Sequence, residues 1–437
     1  MKIDKHSREL LKYISEDFVM LTGTTVAAYH VATGDLLGEK GFRHYCAKHY
    51  GDVVMTDDDG KEQRAAAGEI WWNWNDPDRR VVRRIVMEPT SKPEKDDNPE
   101  AYNRWHVLKH TMAEPELKAT PDDIGIFIRH LMFLADNDSV GVMYFLCWLA
   151  QLYQTPEIKI PTAILLFSKV GRIGKNLTQR LISKVFGPPL VASCTGKLLK
   201  GTFMDGIEHK RIVFINEMSH TDRSDSYEEF KSLISETMAQ FEGKGRPSKE
   251  ITNIAHYIIT SNHDNALPLM EKDGRIAVLK CSGQRLTDEY YRELVAWIDG
   301  PGPALMAGVL ANWKFPKDWD PYAPVPQTEA ALSMQRQARG ELAMSIEDMV
   351  NERRPPFDKD IGRPFDLILQ FDTLYGVKLN YRTLPKALES IGAVQLPMVN
   401  WLDKDKKPRC ARIWVWRDRE KYENMKGKDI ADILGIQ

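Results

Sequence analysis

The chain has 437 residues, 43% of them hydrophobic and 28% charged, which is enough for two or three domains with substantial cores. Its formal net charge of −2 and pI near 6.6 exclude a globally basic nucleic-acid coat and confine any such contact to loops or to one face. Five scattered cysteines without C-x-x-C spacing indicate neither a zinc site nor a disulfide framework, and no apolar run approaches the ~18 residues of a membrane span, so a reduced, cytoplasmic setting without membrane contact is expected.

Residues 1–115 read as a small α+β domain. An amphipathic helix near residues 7–16 is followed by strand-like runs such as Phe18-Val-Met-Leu and Val81-Val-Arg-Arg-Ile-Val86, and a polar linker spans 90–99. The Trp71-Trp-Asn-Trp74 cluster fits two uses, stacking of bases at ~1–3 kcal/mol each or anchoring of a small core. The span is too short for a complete primase and has no paired acidic residues at a strand end, so no priming activity is expected.

Residues 116–157 read as a helical segment with dense apolar faces. Next comes Pro161-Thr-Ala-Ile-Leu-Leu-Phe-Ser-Lys-Val-Gly-Arg-Ile-Gly-Lys-Asn-Leu-Thr178, an apolar strand, a short loop ending Gly-Lys, and a helix start. At such a turn, backbone N–H groups and the positive end of the helix converge on one point, and Lys175 can set its ammonium against the outer phosphates of a nucleotide, ATP above all. Gly171 and Gly174 remain from the strict pattern. Lys169 stands where its first glycine would be and Asn176 where its hydroxyl would be, so Asn176 or Thr178 is left to assist Mg2+. An ordinary strand-turn-helix fits the same residues.

Two further strand ends follow. Arg211-Ile-Val-Phe-Ile-Asn-Glu217 is too short for a helix, and in a parallel sheet its carboxyl end would bring Asn216 and Glu217 to the edge that carries the loop. There Glu217 could orient the attacking water, with Asn216 in the place of a magnesium-facing carboxylate. Ala255-His-Tyr-Ile-Ile-Thr-Ser-Asn262 would likewise deliver Asn262 to a γ-phosphate. Between them, Phe241-Glu-Gly-Lys-Gly-Arg-Pro-Ser-Lys-Glu250 is a turn-forming loop made basic by Lys244, Arg246 and Lys249.

Prolines at 301, 303 and 316–326 close this region, and a polar helix near 328–351 leads to a last domain, 327–437. A helix over 381–391, a strand from Ala393, a basic turn at 404–409 and an aromatic strand over 412–416 follow the order of a winged helix. Arg382 and Lys386 on the helix, with Lys406, Lys407 and Arg409 on the wing, could then touch DNA. Winged helices also serve as protein-docking modules.

Taken together, Gly171-Arg-Ile-Gly-Lys-Asn176, Phe214-Ile-Asn-Glu217, Ile258-Ile-Thr-Ser-Asn262 and Glu271-Lys-Asp-Gly-Arg-Ile276 resemble the motifs of superfamily 3 helicases of the AAA+ class. The likeness is greatest to the helicase part of phage, plasmid and mobile-element primase-helicases, and it covers roughly residues 100–315. It implies an α/β P-loop core over 158–320, a parallel sheet flanked by helices, with 116–157 as a collar that helps subunits assemble. It further implies Arg275 as a finger reaching a neighbour's nucleotide, although the family commonly shows paired arginines there. The basic loop would carry Lys244 and Lys249 into a central channel. The resulting expectation is an ATP- and Mg2+-dependent DNA helicase, a homo-oligomeric and hexameric ring moving 3′ to 5′ on single-stranded and forked DNA, with a separate primase or replication protein as a candidate partner. A DNA-binding initiator or loader, and a nucleic-acid or protein adaptor with a degenerate loop, are the alternatives.

Overall fold

The computed structural model describes residues 2–23, 25–56, 61–195, 207–216, 225–241, 249–262, 274–339, 341–376, 378–403 and 405–436. The described chain forms two units, one from residues up to 262 together with 274–328, the other from 329–436. The described residues of the segments expected at 1–115, 116–157 and 158–320 all fall within the first.

At the centre of the first unit is a five-stranded sheet in the order Val191–Thr195, Ile212–Asn216, His256–Ser261, Ala163–Phe167, Ile276–Lys280, with every pairing parallel. The adjacent inner strands His256–Ser261 and Ala163–Phe167 are buried throughout, as strands covered on both faces must be. Helices Gly125–Leu134, Ser139–Gln154, Lys175–Phe186, Asp288–Asp299 and Gly302–Ala311 supply the cover. Phe145, Trp148, Leu181, Phe186, Leu294 and Met306 from these helices join Ile164, Phe214 and Ile258 of the sheet in one core.

Parallel strands in register bring all carboxyl ends to one edge. Phe167 lies opposite Ser261, and Thr195 opposite Asn216. The other edge carries cations. The guanidinium of Arg211 is fully enclosed, lies 5.2 Å over the Trp105 ring, and donates from Nη2 to the carbonyl of Leu152 at 3.2 Å. The stem of Lys159 is partly exposed, but its ammonium turns inward to the carbonyls of Leu233, at 3.3 Å, and Ala255. Burial lowers both, Arg211 to about 9 and Lys159 to about 7.

The amino-terminal region is α+β, as its sequence suggests. Helix Lys5–Asp17 is capped by Asp4, whose side chain accepts from the Ser7 N–H at 2.6 Å, and buries Leu11 and Ile14. Strand Phe18–Thr22 pairs with Val26–His30 and, in parallel, with Val81–Val82. The single run expected over 81–86 is divided: Arg84–Val86 leaves that sheet and pairs with Ala101–Asn103. The tryptophan cluster serves the core, because Trp71 is fully buried and donates from Nε1 to Ser15 Oγ at 2.8 Å, and Trp74 is buried beside it.

In the second unit, Glu329–Arg339 and Glu341–Asn351 form two helices where one was expected. Helices Pro364–Tyr375 and Thr383–Ser390 follow, and Leu384, Leu388, Phe371 and Trp414 share a core. Strand Val394–Gln395 pairs with Trp414–Val415, and between them Val399–Leu402 and Pro408–Ala411 form a hairpin that the sequence reading took for a plain turn. Among the described residues no single helix is long and apolar enough to cross a membrane.

Candidate functional site

A cleft of about 500 Å3 opens at the carboxyl edge of the parallel sheet. Its floor is the loop from Gly171 to Gly174 and the first turn of helix Lys175–Phe186. One wall is made by Asn216, Thr260, Ser261 and Asn262 at the ends of two strands, the other by Tyr291 and Val295 from helix Asp288–Asp299. Sheet order dictates this arrangement, because strands Ile212–Asn216 and His256–Ser261 lie to one side of Ala163–Phe167 and the strand leading to Asp288–Asp299 lies to the other.

The loop contains two left-handed residues, Arg172 at φ 60° and Gly174 at φ 95°. Arg172 carries a Cβ in that region, so the turn is held by its surroundings at a local cost of order 1–3 kcal/mol. Gly171, prominent in the sequence pattern, has no positive φ and open space where a Cβ would go. Gly174 is the glycine the fold demands, since a Cβ there would lie 2.5 Å from His130 Cε1. It also caps the helix, so the first-turn N–H groups and the positive helix end face the cleft.

Lys175 crosses the cleft. Its Nζ donates to the Ser261 carbonyl at 2.6 Å and to Asn262 Oδ1 at 2.5 Å. Burial lowers its ammonium to about 8, which still leaves it largely protonated at neutral pH. Lys175 and Asn262, called from separate motifs, are thus in direct contact.

The other predicted residues have varied placements. Asn176 lines the cleft and is exposed. Asn216 lines it too, but its amide is committed: Nδ2 donates to Ser193 Oγ at 2.8 Å and to Gln179 Oε1 at 3.3 Å, while Oδ1 accepts from Thr260 Oγ1 at 3.0 Å. Thr178 is fully buried on the inner face of its helix and its hydroxyl has no hydrogen-bond partner, so the metal-assisting role expected of it has no hydroxyl in the cleft. Glu217, Lys244 and Arg246 lie outside the described residues; Lys249 begins strand Lys249–Thr252, which pairs antiparallel with Met238–Phe241.

Arg275 is exposed at the opposite edge of the sheet. Its carbonyl accepts from the Ala163 N–H at 2.8 Å, and its Nε donates to Ser235 Oγ at 2.8 Å. A five-residue strand separates it from the loop, ~16 Å at about 3.3 Å per residue, beyond the reach of its own cleft. In the second unit Arg382, Lys386, Lys406 and Lys407 are exposed, whereas Arg409 is held by Asp403, Nε to Oδ2 at 2.9 Å.

Residues 166–275 match a family model described as a family of unknown function, DUF5906. The chain is similar to a DNA primase-polymerase of Nitratiruptor phage NrS-1, with 28% identity over 225 residues, or 49% of this chain and 30% of that protein. It therefore spans under a third of the length of that curated relative. Solved apo structures of the NrS-1 C-terminal region share its fold: one covers 94% of this chain and 100% of its own at a TM-score of 0.62 and 17% identity, and an A-form structure covers 93% and 98% at 0.63 and 17%.

Sequence reading missed the support beneath the loop. His130, from helix Gly125–Leu134, is fully buried, with Nε2 3.2 Å from the Gly174 carbonyl and Nδ1 3.2 Å from the Tyr290 hydroxyl. Desolvation lowers its pKa to about 4, so it is neutral at pH 7. A carbonyl only accepts, so Nε2–H donates to Gly174 and Nδ1 accepts from Tyr290. The available signal was the polar pair Arg129-His130 within the otherwise apolar run Ile126-Phe-Ile-Arg-His-Leu-Met-Phe-Leu134.

Proposed function

We propose that this chain is an ATP-driven DNA helicase of the superfamily 3 type that works as a ring in the replication of a phage or mobile element. The observation that carries the reading is the meeting of Lys175, Asn216 and Asn262 at one edge of a parallel sheet, over a loop whose helix start faces the same cleft. The likeness to a phage DNA primase-polymerase supports the replication setting.

In this reading, Lys175 moves from the Ser261 carbonyl and Asn262 onto the β- and γ-phosphates. The first-turn N–H groups bind phosphate oxygens, and Asn262 senses the γ-phosphate. Glu217 orients the attacking water. The cleft fits a nucleotide through its cation, its N–H donors and its volume. Its described lining contains no carboxylate, so the ion would be bound chiefly by phosphate oxygens and water, with Asn176 and the remaining lone pair of Asn216 touching its shell. Mg2+ supplies neutralisation of charge on the triphosphate.

Arg275, remote from its own cleft, suits a neighbour's, where a finger is worth about 10³ to 10⁵ in rate. Residues 116–157 then act as the collar, and the hairpin bearing Lys244 and Lys249 grips the strand in the channel. In the second unit, the helix, strand, hairpin and strand are used as a winged helix that touches DNA through Arg382, Lys386, Lys406 and Lys407.

The test is ATP turnover with and without single-stranded DNA for the native chain, Lys175→Ala, Glu217→Gln and Arg275→Ala, followed by displacement on a forked duplex. DNA-stimulated turnover, lost in each variant and partly restored on mixing Glu217→Gln with Arg275→Ala, is expected. Turnover without displacement would favour an initiator or loader. A folded protein with no turnover would leave an adaptor.

A further inference from the structure

A second polar cleft, about 620 Å3 and lined by Thr22, Gly23, Arg83, Arg84 and Glu100, lies in the amino-terminal region, away from the nucleotide cleft. It forms where the divided run over 81–86 passes from one sheet to the other. Val82 is still paired with Leu21, and Arg84 already pairs with Ala101. The crossing is fixed by the Arg83 N–H donating to the Glu100 carbonyl at 2.8 Å and by Thr22 Oγ1 donating to the Val82 carbonyl at 3.3 Å.

Gly23 shows that the closeness is built in. A Cβ at this position would run into the Arg83 carbonyl, so only glycine lets this strand end press against the crossing. Both guanidinium groups then stand at the cleft. Arg83 is exposed and reaches Glu100 only at 3.8 Å, and the Arg84 side chain is exposed with no hydrogen bond or ion pair among the described residues. The neighbouring cations of the Arg79-Arg-Val-Val-Arg-Arg84 run are engaged: Arg79 donates to the carbonyls of Trp71 and Trp72, and Arg80 pairs with Glu94.

We infer that this cleft binds the phosphodiester backbone of single-stranded DNA, an inference that rests on the motor reading only in supposing that the chain works on such a strand. Guanidinium forks match phosphate oxygens, and each phosphate neutralised releases counterions. No aromatic ring is among the described residues that line the cleft, and Trp71 and Trp74 are turned into the core, so the contact reads backbone rather than bases. Each of the two guanidinium groups can take one phosphate of the strand, since Glu100 lies 3.8 Å from Arg83 and holds it only loosely.

The experiment is fluorescence anisotropy of a labelled oligo-dT on the full chain across a salt series, comparing native protein, Arg83→Ala/Arg84→Ala and Arg83→Lys/Arg84→Lys. The alanine pair should weaken binding about tenfold at low salt and lower the slope of log K against log salt by about 1.4, two phosphates at ~0.7 each on a single strand. The lysine pair should keep the slope, ATP turnover without DNA should be unchanged in both, and inorganic phosphate should compete poorly. An unaltered slope and affinity in the alanine pair, with native binding intact, overturns this inference alone. No native binding of oligo-dT at any salt overturns it together with the motor reading. Displacement by polyglutamate as effective as by unlabelled oligo-dT would assign the cleft to an acidic protein partner instead.

Discussion

Replacing His130 by Phe tests how the loop from Gly171 to Gly174 is held. The ring size is nearly kept, while the donor to the Gly174 carbonyl and the acceptor for the Tyr290 hydroxyl are both removed in a fully buried place. Each orphaned group costs about 1–3 kcal/mol, so the variant should lose about 2–6 kcal/mol in a urea titration at pH 7.5. The pH dependence has a separate sign. The native pKa is lowered to about 4 from an ordinary 6.5, so between those values the unfolded chain binds the extra proton and the native state does not. Native stability from this group is complete above pH 6.5 and is lost as pH falls toward 4, by about 3 kcal/mol in all. His130→Phe should therefore be less stable at neutral pH yet lose less on acidification, and its KM for ATP should rise more than its kcat falls. Tyr290→Phe should show a smaller stability loss, and its effect should vanish in the His130→Phe background. An unchanged slope of stability between pH 6.5 and 4 would refute the reasoning.

Gly174→Ala meets both a left-handed φ of 95° and His130 Cε1 at 2.5 Å, so nucleotide affinity measured by calorimetry should fall at least tenfold, while Gly171→Ala, with open space at its Cβ, should cost little. Lys159 has a native pKa lowered to about 7 from 10.5, so the unfolded state binds more protons between these values and stability should climb with pH across that window. Thermal melts of Lys159→Met should lack that climb; a parallel pH profile would contradict the inward ammonium.

Much of the core was legible because its signals are local. The buried strands at 163–167, 212–216 and 256–261 are short apolar runs ended by polar residues, and a parallel sheet does the rest by aligning their ends. That is why Lys175 and Asn262, 87 positions apart, can be matched from their local motifs alone. What failed depends on neighbours that no window contains. Thr178 reads as an available hydroxyl, but its helix turns it inward. Asn216 reads as a free amide, but Ser193, Gln179 and Thr260 claim it. Gly171 looked more telling than Arg172, although it is Arg172 that takes the left-handed turn. His130 was invisible because its partners lie 44 and 160 positions away. The division at Arg83 was missed because Val81-Val-Arg-Arg-Ile-Val86 has one continuous strand composition, and only the register with two different sheets breaks it.

The enclosed cations at the amino edge bear on the charge economy of the whole α/β layer. Helices that follow parallel strands run back toward that edge, so their negative ends gather there as their positive ends gather at the cleft. Leu152 and Leu233, the acceptors for Arg211 and Lys159, sit in the last turns of helices Ser139–Gln154 and Asp225–Ser235. The two side chains thus terminate helix dipoles that would otherwise end in unsatisfied carbonyls. An anion bound between Gly171 and Lys175, as the proposed function requires, and the cations enclosed behind the sheet would answer opposite poles of the same array. Neutralising Arg211 or Lys159 therefore changes the field in which the cleft works from the far side of the fold, without touching one atom of its lining.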